Sequence, residues 1–320
     1  MIVRNLGIRS LLALFLGLPA LVLAAPFAYV PNEKSGTISV IDTAENTVVA
    51  AIPAGRRPRG IAIDPAGKQL YVTDAANSEL LVIDLPGRKV VRRVPLGESP
   101  EGVSVSADGR WLAVAVEAHN SVVLIDAASG RREAEIRVQG KNPEHAVFSP
   151  DGRWLYVSAE EAEQVDVIEV AARRQVDSIP VGRRPRGIAF LPDSSRVYVA
   201  CELTNTVYAI DVATRKVVAE IRGGQFTNGL TVTPDGKRIF VSNGKDGTVS
   251  AIDTASNTVL ATIEVGKRPW NMAVTPDGQR LYVANGRSNN VSVIDAATLL
   301  KVADVPVGEL PWGVAIVPAP

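Results

Sequence analysis

The residues best placed to do chemistry in this sequence recur at one position in seven repeated units. They are Trp312, Arg59, Glu101, Glu144, Arg186, Asn228 and Trp270. Five of them (Arg59, Glu101, Glu144, Arg186, Trp270) end a Gly-x-x-Pro loop, and Trp312 follows Pro311 after Gly308. Asn228 follows Gln225-Phe226-Thr227, which predicts a different backbone path for that loop. Ordered around a ring, two tryptophans face an arc of Arg, Glu, Glu, Arg, thickened by Arg56-Arg57 and Arg183-Arg184. An aromatic wall opposite charged groups suits a planar, anionic small molecule, stacked on Trp and held by Arg. The same order also allows Arg59 to pair with Glu101 and Arg186 with Glu144, which makes the arc self-neutralised and structural. Both readings stay open at this point.

His145, beside Glu144, is the one residue here with the pKa of a general base at working pH, and a loop histidine can equally be a surface hydrogen-bonding group. Glu101 and Glu144, with Glu33, Glu117, Glu160 and Glu202 at equivalent loop positions nearby, are either candidate oxygen ligands for a hard cation or part of a solvated acidic loop ring. No dense Asp/Glu loop motif accompanies them. Two histidines, His119 and His145, cannot furnish a copper cluster or structural zinc site. No GxSxG, HExxH, P-loop or dinucleotide-binding glycine pattern is present.

The elements that must position these residues follow from a repeat. An apolar residue precedes an acid at Asp42, Asp84, Asp126, Glu169, Asp211, Asp253 and Asp295, spaced 42, 42, 43, 42, 42 and 42 residues apart. Each unit reads as four short strands rich in Val, Ile and Thr, with Gly, Pro, Asn and Asp at the corners. In the sixth unit these are Gly229 to Thr233, Arg238 to Ser242, Thr248 to Asp253 and Thr258 to Val265. The fold expected is all-β: a seven-bladed β-propeller of four-stranded antiparallel blades. The first unit lacks its innermost strand, and Trp312 to Val317 is an unmatched one. One C-terminal strand therefore joins three N-terminal strands and closes the ring. In such blades the D–A and B–C connections share a face, so the candidate residues meet at the channel mouth.

Tyr71-Val72-Thr73-Asp74, Phe240-Val241-Ser242-Asn243 and Tyr282-Val283-Ala284-Asn285 resemble YVTN-type β-propeller repeats. The seven repeats after an export signal are similar to β-propeller proteins associated with pyrroloquinoline quinone (PQQ)-dependent catabolism. That resemblance implies a periplasmic module linked to PQQ-dependent alcohol oxidation, with PQQ binding or a partner dehydrogenase or transport component, and it brings no catalytic residues with it. A metal-assisted lactonase-like hydrolase and a structural envelope repeat are the alternatives.

Composition limits the rest. Lysine plus arginine and aspartate plus glutamate number 34 each, which gives no basic excess for nucleic acid. Cys201 is the only cysteine, so no intramolecular disulfide and no CxxCH haem attachment exist. Arg4 and Arg9, then an apolar run from Leu11 to Leu23 broken by Gly17 and Pro19, then Ala24-Ala25, follow the order of a secretory signal. Cleavage after Ala24 is expected, leaving a periplasmic or secreted domain over 25–320. The run is short for a membrane anchor, so no stable insertion is expected after cleavage.

Overall fold

The computed structural model describes residues 26–317, so the expected signal segment 1–24 lies outside the described residues. The chain forms seven four-stranded antiparallel sheets arranged as the blades of a propeller. Blade two is typical: Pro58–Ile63 lies innermost, followed outward by Gln69–Asp74, Glu79–Asp84 and Lys89–Pro95. The sixth blade, Thr227–Val232, Arg238–Asn243, Thr248–Asp253 and Thr258–Glu264, matches its sequence reading to within two residues at each boundary.

The core lies between blades. The two middle strands of a blade bury both faces, which is why they read as continuous apolar runs instead of alternating ones. Within Gln69–Asp74, Leu70 and Val72 pack on blade one while Tyr71 packs on blade three. Each of the seven apolar clusters is thus shared by two neighbours, and the first and last blades share one as well through Ala28, Val30, Tyr282 and Val293. Outermost strands such as Thr258–Glu264 are half exposed and mark the rim.

The repeated acid has a local cause. Asp126, Asp211, Asp253 and Asp295 each accept a backbone N–H three residues on, at 2.7–2.8 Å, and Asp42 accepts one two residues on at 2.8 Å. These Asx-type turns fix the connection to the outer strand.

Closure occurs as expected, through a shorter strand. Ala315–Val317 pairs antiparallel with Tyr29, Ala28 and Phe27. Upstream of it the chain stays attached by an isolated bridge between Pro311 and Asn32 and by the Trp312 N–H donating to the Pro31 carbonyl at 2.9 Å. Besides strands, the described residues contain one short 3-10 turn, Glu117–His119, and no helix long and apolar enough to cross a membrane.

Candidate active site at the channel mouth

Loops between blades and the middle loops within blades meet on one face around a cavity of about 270 Å³. Seven of the expected residues line it: Arg59, Glu101, Glu144, Arg186, Asn228, Trp270 and Trp312. His145 does not. Its ring faces the hollow beneath, about 150 Å³, where five of the other blades present Gly60, Gly102, Gly187, Asn271 and Gly313. Strand alternation explains this, because neighbours on a strand point to opposite sides. The Trp312 ring lies between the two hollows and packs on the imidazole with centroids 5.5 Å apart. Burial lowers the His145 pKa, the Arg186 charge lowers it further, and Glu144 acts against both.

The loop ending at Asn228 keeps the common path, contrary to expectation. Phe226 has φ +60°, as Ser99 (+57°), Asn142 (+54°), Arg184 (+59°), Arg268 (+55°) and Leu310 (+55°) do in the equivalent loops. Asn205 secures it by accepting the Phe226 N–H at 2.7 Å, as Asn120 does for Asn142 at 2.9 Å. The departing loop belongs to blade two, where the positive φ sits at Gly55 (+84°). There the buried Asp74 carboxylate accepts both the Arg56 and Arg57 N–H groups, at 2.9 and 3.0 Å.

Both sequence-derived ion pairs form. Arg59 contacts Glu101, and Arg186 reaches Glu144 at 2.8 Å. The network extends further than the sequence reading placed it. Arg59 also holds Glu33 at 3.2 Å, and Arg186 also holds Glu160 and, at 3.2 Å, Glu202. Arg184 bonds Glu160 and Glu202, and Arg268 bonds Glu202 at 2.7 Å. Arg268 was missed because its loop was read only for Trp270. The Glu33, Glu160 and Glu202 register was visible in the sequence, but their partners were not.

Charge crowding separates the carboxyl groups. Burial, then the neighbouring Glu144 charge, push the Glu101 carboxyl up to about 8 against the pull of Arg59. Burial and Glu144 likewise raise Glu160 to about 7. Glu144 is itself pushed up by burial, but Arg186, His145 and a hydrogen bond from Glu160 outweigh that and hold it below the usual carboxylate range. Glu101 is 1% exposed, and its Oε2 has no hydrogen-bond partner. The cavity therefore sets a carboxyl pushed toward its protonated form beside one held toward its ionised form, a division of labour suited to general acid–base work.

The oxygen-ligand expectation for Glu101 and Glu144 does not fit the geometry. Among the described residues no three His, Cys, Asp or Glu side chains gather as a metal site, and both glutamates turn to arginines. Cys201 is fully buried, with its thiol pushed up to about 12 by burial, and it packs as an apolar residue.

The mouth is not uniform. The first loop residue after the second strand is Glu33, Glu117, Glu160 or Glu202 in blades one, three, four and five, but Ala75 in blade two. Blades six and seven have Gly244 and Gly286 there. Those glycines make room for their neighbours. A Cβ on Gly286 would stand 2.6 Å from the Trp270 ring, and one on Gly244 would stand 3.0 Å from Arg268 Nη1.

Residues 97–180 and 171–299 match the family model described as lactonase, 7-bladed beta-propeller. The chain belongs to that seven-bladed β-propeller family. Its first part, residues 25–109, matches the YNCE-like beta-propeller model. A search of the curated proteins gave no match. Solved structures share the fold of this lactonase-family propeller at low identity. A functionally unknown protein from Desulfotomaculum acetoxidans has a TM-score of 0.81 at 17% identity, covering 92% of this chain and 100% of that one. Hydrazine synthase from Kuenenia stuttgartiensis has a TM-score of 0.74 at 23% identity, covering 82% and 95%. Dihydro-heme d1 dehydrogenase NirN in complex with DHE has a TM-score of 0.67 at 19% identity, covering 90% and 74%.

Proposed function

We propose that the channel mouth hydrolyses a small lactone by acid–base catalysis with the chain's own carboxyl groups. The observation that carries this reading is the Glu101 carboxyl, buried, raised to about 8 and with Oε2 unpartnered, in the same cavity as ionised Glu144. In the forward step Glu144 takes a proton from water as its oxygen adds to the lactone carbonyl. The oxyanion so formed lies among arginine N–H donors. Its collapse breaks the ring C–O bond, and Glu101 gives its proton to the departing alkoxide, leaving a hydroxy acid. Arg59 and Arg186 hold the two acids in place. Membership of a family described as lactonase supports the substrate class. Titrating acid released from a panel of small lactones tests it, with Glu101→Gln expected to lose most turnover. A protein that opens none of the panel, at any pH from 5 to 9, sinks the reading.

The second reading is a non-catalytic periplasmic binding module, accessory to PQQ-dependent alcohol catabolism, that holds a small anion or docks a dehydrogenase. Trp270 and Trp312 on one cavity favour it, since both can stack on a planar ring. The charge of the cavity argues against a tricarboxylate there, because five glutamates line it beside four arginines. Tryptophan fluorescence titrated with PQQ decides this version; an unchanged signal removes it.

A further inference from the structure

The mouth face carries a second hollow, which the acid–base site does not use. It is a groove of about 680 Å³ between loops of blades five, six and seven, floored by Gly244, Gly247 and Gly266. Lys245, Lys267 and Arg287 stand along it, exposed and without an ion pair among the described residues. Five cations of the groove face three acids: Glu202 pairs with Arg184 and Arg268, while Asp246, which accepts the Gln225 N–H at 2.7 Å, and Glu264 are exposed. The Phe226 ring forms an apolar wall, with Lys245 Nζ 5.6 Å and the Arg268 guanidinium 5.5 Å from its centroid.

We propose that this groove binds the carboxylate or phosphate group of a small molecule. Lys245, Lys267 and Arg287 supply charge-assisted hydrogen bonds, and Phe226 covers the adjoining apolar part of the ligand. Blades one, three, four and five place a glutamate where blades six and seven have glycine, so on this side no carboxylate at that register faces the cations. Arg184 and Arg268 line both the groove and the central cavity. A molecule longer than the cavity can therefore cross them and put its anionic end in the groove. The inference concerns binding and stands apart from lactone hydrolysis.

Calorimetric titration of the protein with inorganic phosphate and with adipate tests it. Both probes are expected to bind, more weakly as salt rises. The triple variant Lys245→Ala, Lys267→Ala, Arg287→Ala is expected to lose about tenfold or more in affinity, as lost charge-assisted bonds would give. Gly244→Glu restores the carboxylate of the other blades beside Arg268 and Lys245, and is expected to abolish binding with the melting temperature kept. Its backbone lies outside the left-handed region, and the atoms its Cβ would meet, Arg268 Nη1 at 3.0 Å first, belong to the end of a flexible side chain that can shift. Absence of binding by both probes, or binding that the triple variant keeps in full, overturns the proposal. Loss of lactone turnover with phosphate binding intact counts only against the acid–base reading.

Discussion

The two sides of the channel mouth are built from the same loops and do opposite things with their charge. Across blades one, four and five, glutamates following the second strand meet arginines from the interblade loops in bonded clusters, and Glu117 of blade three accepts the Ser99 hydroxyl at 2.8 Å. Across blades six and seven the glutamate becomes glycine, Arg268 and Trp270 lie over the vacated space, and the remaining cations face a groove. A single side chain per blade decides between a locked, proton-holding surface and an open, basic one. Repetition supplies the frame, and departure from it at one register sets the charge of each side.

The sharpest way to break this comparison is to strand the charges of the locked side. Arg186→Ala leaves Glu144, Glu160 and Glu202 without their shared partner, and is expected to cost about 3–5 kcal/mol, since removing one member of a buried pair leaves uncompensated charge. Urea unfolding at pH 7.5 reads it. The deficit should shrink at pH 5, where protons replace the lost guanidinium.

On the open side, Gly286→Ala drives a Cβ into the Trp270 ring, and overpacking of this kind costs about 1–3 kcal/mol. A red or blue shift of tryptophan emission should accompany the lower midpoint. If emission and midpoint both stay put, the glycine is not what seats Trp270.

A third test uses pH. Glu101 has a folded pKa of about 8, above that of the unfolded chain, so its proton stabilises the fold fully below the unfolded value. That contribution is lost as pH rises through about 8. The melting temperature should therefore fall between pH 5 and 9, and Glu101→Gln should flatten the fall and melt higher than the parent at pH 9. A variant with the parent's slope would place the titration elsewhere. Lys245→Ala should give the smallest effect, within about 0.5 kcal/mol in chemical denaturation, because an exposed side chain without an ion pair contributes little.

Much of this was legible in the residues. The apolar-acid marker set seven blades because in six of them an aspartate caps the turn to the outer strand, and a capped turn leaves a fixed imprint. Arg59 with Glu101 and Arg186 with Glu144 could be paired because neighbouring blades repeat one register. What could not be read was direction in depth. His145 follows Glu144 in the chain but faces the lower hollow, since only the backbone of a strand decides which neighbour turns which way. The loop at Asn228 was expected to depart because it lacks proline, yet Thr227 takes the proline's place and donates to the Cys201 carbonyl at 2.9 Å. The loop that does depart has ordinary residues; its path is set by Asp74, a buried acceptor 17 and 18 residues away in sequence.

Trp312 belongs to the segment that closes the ring, and it also forms the floor of the mouth. The pairing that carries it there joins Phe27 to Val317, among the most distant contacts the chain can make, and contacts of that span form late and slowly. The cavity therefore has no floor until the circle is complete. Assembly of the ring and maturation of the site are one event, and the indole of Trp312 reports on both.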